Sequence, residues 1–224
     1  MVREILTQAI QYWPDLILGL RNTFVMTLLA FGASLVGGLI LGLGSVSRRR
    51  LPRLLTKAYV DFFRGIPLLV LLWLVYFGLP SFPVRPVLIS PGGAVFLAFA
   101  LSFSAFQAEI FRAGILSVDR GQVEAAVALG MRYRQIIRRI VLPQAVRVMA
   151  PPTVNQFTDV IKSTAMAGTV AYSELFRTAY LMGTETFRFL PPFLLIASIY
   201  VVICLPLIYW VNALERRLKL GTAY

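Results

Sequence analysis

The stretch from Leu16 to Leu43 is a hydrophobic run longer than the ~20 residues that carry a helix across a bilayer. Four further runs approach that length, at about Tyr59–Leu79, Pro91–Phe111, Val141–Ile161 and Pro191–Leu214. With the first extended to about Leu16–Val46, they predict five spans and an all-α integral membrane fold. Residues 16–214 then form one transmembrane domain, with a segment at 1–15 before it and a tail at 215–224 after it. Composition agrees, since 14% of the chain is charged, against about a quarter in soluble domains. The fourth run is the least regular, because Pro151, Pro152, Asn155 and Asp159 interrupt it. A broken helix is expected there, which a membrane tolerates only where protein or a water-filled cavity surrounds it. Residues 1–15 are too polar for a signal-peptide core and the next run is too long for one, so no cleaved leader is expected.

The formal net charge of +12 would fit a nucleic-acid partner if the bases formed a soluble patch. They lie beside the spans instead, so they read as orienting loops, and no nucleic acid is expected. Arg48, Arg49, Arg50, Arg53 and Lys57 follow the first span. Arg112, Arg120, Arg132, Arg134, Arg138 and Arg139 separate the third from the fourth, and Arg216, Arg217 and Lys219 lie at the end. The opposite loops are poorer, with Arg85 alone in one and Arg177 and Arg188 among acids in the other. Segment 1–15 is therefore expected outside and the tail in the cytoplasm. There is no histidine, and the one cysteine, Cys204, sits in an apolar run. Neither a disulfide framework nor a metal site is expected. Gly32, Ser34, Gly37, Gly38, Gly42 and Gly44 read as a packing face on the first span. No GxxxxGK[ST] occurs, so ATP binding through that motif is not expected.

The segment at about 117–143 is polar, basic and helical between two apolar spans. Ser117 or Asp119 can cap a first helix, Glu124 suits its positive end, and Gly130 is a natural stop. Ala125, Ala126 and Ala128 keep its surface low. A second helix is expected to end at Pro143, with Tyr133, Ile136, Ile137, Ile140 and Val141 on one side. Arg132, Arg134, Gln135, Arg138 and Arg139 take the other side. A basic amphipathic helix beside a membrane reads first as a lipid-surface helix, with a partner-protein surface as the alternative.

The spacing Glu124-Ala125-Ala126, three residues, Gly130, nine residues, Ile140-x-Leu142-Pro143 resembles the EAA loop of ABC importer permeases. "FFRGIPLLVLLWLVYFGLP" (62–80), "FQAEIFRAGILSVDRGQVEAA" (106–126) and "LPQAVRVMAPPTVNQFTDVIKSTAMAGT" (142–169) are similar to the polar amino-acid branch, relatives of histidine, glutamine and arginine uptake systems. The resemblance covers about residues 17–215 and includes Arg64-Gly65-x-Pro67, Gly121-Gln122 and Leu142-Pro143-Gln144-Ala145. It implies a type I ABC importer permease fold in a bacterial plasma membrane, with Glu124, Ala125, Ala126, Gly130, Arg134 and Arg138 in a coupling loop ending at Pro143. The implied partners are two ATPase subunits, a second permease, an extracytoplasmic binding protein and the amino acid. ATP would be bound by the partner, leaving this chain without a cofactor. The branch usually has Lys-Asp-Thr-Ser-Leu near the end of the fourth span, whereas this chain has Lys162-Ser163-Thr164-Ala165-Met166 and an acid at Asp159.

An acid at the centre of a membrane helix costs about 2.5–3.5 kcal/mol on insertion scales, so it persists only with a partner or a wet path. Asn155 and Asp159 are one turn apart, Lys162 and Ser163 follow a turn later, and Glu109 lies late in the third span. This set offers an acid for a substrate ammonium and donors for its carboxylate. The alternative is internal neutralisation, Asp159 by Lys162 and Glu109 by Arg112. Arg64 reads as a structural anchor, paired with Asp61 or snorkelling, and Gly65-Ile66-Pro67 as a kink. With Arg64 outside the site, Asp159 and Glu109 favour a neutral or basic amino acid. A membrane hydrolase is a poor alternative without histidine or a Gly-x-Ser-x-Gly motif. A passive channel or purely structural subunit would not need the coupling loop.

Overall fold

A computed structural model describes residues 2–81 and 88–219, so Arg85 and tail residues 220–224 lie outside the described residues. Among the described residues the fold is helical throughout. Helix α1 (Val2–Gln11) leads into α2 (Trp13–Ser45), where Pro14 sits in the first turn and forfeits no helical bond. Helix α2 pairs mainly with α5 (Pro91–Leu116), whose start is capped by the Ser90 hydroxyl accepting from the Gly93 N–H. Gly37, Gly38 and Gly42 approach Ser104, Gln107 and Phe111, and a Cβ on Gly38 would lie 2.5 Å from that of Gln107. Numbers rise together along both helices, so α2 and α5 are parallel. The packing-face expectation holds at Gly37, Gly38, Gly42 and Gly44, but Gly32 faces open space.

The kink expected at Gly65-Ile66-Pro67 is present, and it is sharp enough to divide the Tyr59–Leu79 run between two helices. Helix α3 (Arg50–Gly65) and the unit starting with α4 (Leu68–Trp73) are bent by 98°. The cause is Pro67, which drives the preceding residue out of the helical region, and Ile66 is extended (φ −95, ψ 128). Past Trp73 the chain continues through a π turn (Leu74–Gly78) and a 3₁₀ turn (Leu79–Ser81). Leu71, Leu72 and Val75 join Met26, Phe99 and Val160 in the main core.

Helix α6 (Arg120–Ala128) ends in a Schellman turn. Gly130, at φ +74, donates to Val127 O at 2.9 Å, and Met131 donates to Ala126 O at 3.1 Å. Neither expected side-chain cap forms: Asp119 holds the N-cap position without a cap bond, and the Ser117 hydroxyl folds back onto Gly114 O. The second helix does not end at Pro143. Helix α7 (Tyr133–Ile136) passes through a π turn (Ile137–Val141) into α8 (Leu142–Ser163). The wide turn closes just before Pro143, so the missing N–H falls in the first turn of α8, where no bond is lost. Gln144 braces the junction by donating to Gln122 Oε1 at 2.6 Å and to Ile140 O at 3.0 Å.

Nor is the fourth segment broken at its prolines, since α8 runs through Pro151 and Pro152. Packing overrides the lost N–H groups: Met149 sits against Gly114, the Gln107 amide donates to Thr153 at 2.9 Å, and Gln156 donates to Phe103 O at 3.0 Å. These contacts set α8 antiparallel to α5. The irregular backbone comes later, in the 3₁₀ stretch Thr164–Val170. Helix α9 (Leu175–Thr186) then packs on α2 and on α10 (Leu190–Lys219). Its N-cap, Glu174, is fully buried and accepts from Phe176 N, Arg177 N and the Tyr200 hydroxyl. At the other end of α9, Glu185 accepts from the Tyr12 hydroxyl at 2.7 Å, a bond that raises the phenol pKa. Helices α2, α5 and α10 are long and apolar enough to cross a membrane, and the bent α3–α4 unit is a fourth such path. Helix α8 does not qualify alone.

Candidate functional site

The 98° break opens a cavity of about 700 Å³ between α3, α4, α5 and α8. Glu109, Asn155, Asp159 and Ser163 line it, so four of the five proposed substrate residues come together. The fifth, Lys162, is not in the lining but lies 2.8 Å from Asp159 Oδ1. The internal neutralisation anticipated for this pair is present. It is partial, because the Asp159 side chain is 60% exposed and only one oxygen is engaged.

Arg64 is the main correction. It makes no ion pair with Asp61 among the described residues; it lines the cavity, with its guanidinium 3.7 Å from Glu109 and over the Phe106 ring at 5.5 Å. Glu109 is already held by Arg112, whose Nε and terminal nitrogen donate to its two oxygens at 2.9 and 2.8 Å. A bidentate pair of this kind satisfies the carboxylate. The longer contact leaves most of the charge of Arg64 uncommitted. Gly65 and Pro67 do have the structural role expected of them, since they make the break, and they also line the cavity.

Gln156 was not foreseen. It is 5% exposed, it lines the cavity, and its Oε1 has no hydrogen-bond partner among the described residues. A buried amide oxygen left unpaired costs about 1–3 kcal/mol, so a donor from elsewhere is the natural complement. Its adjacency to Asn155 in a membrane helix was the available signal. For Arg64 the only hint was the Arg-Gly-x-Pro string.

At the loop, Glu124, Ala125, Gly130, Arg134 and Arg138 are exposed, whereas Ala126 is buried with Val118, Ile136 and Val141. Ala126 is therefore a packing residue. Tyr133 departs from its expected apolar face and is 73% exposed, because only the short α7 carries it before the π turn shifts the register. Val127, Leu129 and Tyr133 present an apolar patch beside a concavity lined by Arg132, Arg134, Arg138 and Arg139.

A bundle of apolar helices around a largely apolar cavity that holds a few charged and polar groups, with a braced helix pair beside it, defines a membrane permease component. The chain belongs to the family of binding-protein-dependent transport system inner membrane components, whose model matches residues 34–220. It is 36% identical over 209 residues to the probable amino-acid ABC transporter permease protein YckA of Bacillus subtilis, covering 93% of this chain and 91% of that one. It is 38% identical to the probable glutamine ABC transporter permease protein GlnM of the same organism, covering 90% and 92%. A crystal structure of an amino acid ABC transporter with histidines matches with a TM-score of 0.87 at 35% identity, covering 94% of this chain and 97% of that one. The MetNI methionine ABC transporter in an inward-facing form, at 23% identity, covers 91% of this chain and 95% of that one and shares the fold with a TM-score of 0.73.

The protein is thus a permease subunit of an ABC importer with the type I fold, a multi-pass bacterial membrane protein. ATP hydrolysis belongs to a separate subunit. The family implies ATPase subunits, a partner permease and a substrate-binding protein. Readings as a membrane hydrolase, a passive channel or a structural subunit fall away.

Proposed function

We propose that this permease passes a zwitterionic L-amino acid with an uncharged polar side chain through the cavity at the α3–α4 break. Relatives named for cystine, glutamine and arginine transport support an amino-acid substrate, and those named for cystine and glutamine support an uncharged polar side chain. The carrying observation is the placement of opposite, incompletely satisfied groups around one cavity. Arg64 offers its charge to the α-carboxylate. Asp159 Oδ2 accepts from the ammonium. Asn155 and Ser163 supply further hydrogen bonds, and Lys162 holds Asp159 in place.

The preference for basic substrates weakens once Arg64 is in the cavity. Three cations, Arg64, Arg112 and Lys162, stand against two acids, Glu109 and Asp159, each already paired. A cationic side chain finds no acid beyond Asp159, whose free oxygen is taken by the ammonium. Two ATPase subunits, which bind the ATP, receive the exposed face of Glu124–Pro143, and an extracytoplasmic binding protein delivers the amino acid. This chain needs no cofactor, and it pairs with an identical or sibling permease. Residues 1–15 lie outside and the tail from 215 lies in the cytoplasm.

Uptake by proteoliposomes holding the complete importer, with binding protein and ATP, tests the reading. Uncharged polar amino acids are expected to accumulate and to compete with one another, ahead of lysine or glutamate. ATP-dependent uptake confined to a charged amino acid, or to none, would overturn it.

A further inference from the structure

A second cavity, of about 340 Å³, lies where the end of α2 meets α3 and α5. Four cations line it, Arg53, Lys57, Arg64 and Arg112, with two acids, Asp61 and Glu109. Glu109 is consumed by Arg112. Among the described residues no carboxylate lies within 4.0 Å of Arg53 or Lys57. The cavity is therefore positive, and two of its cations have no carboxylate partner among the described residues.

Helix α3 divides into three faces. At ~100° per residue, Thr56, Val60 and Phe63 form one stripe, and they pack on Gly44, Ala105 and Ala108. Arg53, Lys57, Asp61 and Arg64 form the next, facing the cavity. Leu51, Leu54, Leu55 and Phe62 form the third, and they are 67%, 65%, 61% and 59% exposed. The α4 unit packs along α5 through Leu71 and Leu72, so the 98° bend lays α3 across the end of the bundle. A transverse helix with an apolar face beside a basic one is the geometry of a helix lying in a membrane interface.

We infer that α3 and the adjoining end of α5 bind one anionic phospholipid, its headgroup phosphate held by Arg53 and Lys57 and its acyl chains against Leu51, Leu54 and Leu55. Charge complementarity selects an anion, and the apolar face of α3, which borders the basic face at Leu54, selects a lipid over a free ion. A basic pocket between helices at the membrane surface is a recurrent headgroup site. Arg64 and Glu109 line both cavities, but Arg53 and Lys57 do not line the substrate cavity, so changing these two tests the lipid without removing a substrate residue.

Native mass spectrometry of the full chain in detergent, supplied with phosphatidylglycerol or phosphatidylcholine, tests it. The wild type is expected to retain phosphatidylglycerol preferentially, and to lose it when salt shortens the Debye length to about 3 Å. Arg53→Gln with Lys57→Gln is expected to lower that retention about thirtyfold, roughly fivefold per charge at an anionic surface. Arg53→Lys with Lys57→Arg keeps both charges and is expected to retain the lipid. Leu54→Gln with Leu55→Gln is expected to weaken lipid retention as well. Equal retention of the two lipids by the wild type, or no loss in the double glutamine variant, would overturn the proposal. Displacement of the lipid by inorganic phosphate alone would reassign the site to a free anion. Disulfide cross-linking of Leu54→Cys copies in native membranes would reassign the apolar face to protein.

Discussion

At the scale of single residues, the site divides by what a chain can reveal about itself. Asp159, Asn155 and Glu109 were legible because polar groups in an apolar helix are costly and need a reason. Arg64 and Gln156 were not, because their meaning depends on the 98° break and on the orphaned amide oxygen. Two substitutions separate the proposed roles. Arg64→Gln removes the uncommitted cation and is expected to raise the KM for uptake about ten- to a hundredfold, the worth of a charge-assisted hydrogen bond of roughly 1.5–3 kcal/mol. It should leave the chain folded, because Glu109 keeps its bidentate partner Arg112. Asp159→Asn removes the negative charge that faces the ammonium and pairs with Lys162, and it is expected to weaken uptake of the native substrate. Transport kinetics with surface expression measured in parallel check both; wild-type affinity in either variant would remove that residue from the site.

At the scale of elements, the helix pair at the loop was readable and its continuation was not. The stop at Gly130 follows from a residue type, since only glycine adopts the left-handed conformation without cost. The passage through Pro143 depends on a π turn, and no sequence period announces one. The same limit hid the unbroken course of α8, whose Pro151 and Pro152 are overruled by tertiary contacts with α5. Gly130 allows a sharp test of coupling, because a Cβ there would meet nothing within 4 Å. Within this chain, an effect of substitution therefore comes from backbone conformation and not from crowding. Valine at φ +74 is strongly disfavoured, whereas asparagine tolerates that region. Gly130→Val is expected to insert and bind substrate yet lose ATP-driven uptake, while Gly130→Asn keeps most of it. Uptake per ATP hydrolysed reads the difference, and equal coupling in the two variants would show that the turn does not transmit the motion.

At the scale of the whole molecule, the number of crossings rests on how the helices are paired. Helices α2 and α5 are parallel, so the chain between them must return once, and the bent α3–α4 unit is the segment that does it. Helix α8 is antiparallel to α5, and its hydropathy does not qualify alone, so its crossing is proposed from that pairing. Its polar residues, Asn155, Gln156, Asp159 and Ser163, face the cavity and not lipid. Helix α10 returns the chain once more, with Tyr200 near its start at the level of Thr164 and Glu174. From this register we propose five crossings in the order of the hydrophobic runs, with the arginine-rich ends of α2 and α5 on the cytoplasmic side. Single cysteines in a background with Cys204 replaced test this in whole cells. Cysteines at Ser47 and Arg134 are expected to resist an impermeant maleimide until the membrane is opened. Cysteines at Ser81 and Thr184 are expected to react at once. Protection at Ser81 together with reaction at Thr184 would mean that α3 and α4 form a re-entrant loop. The parallel pairing of α2 and α5 would then have no return path, and the proposed orientation would fail with it.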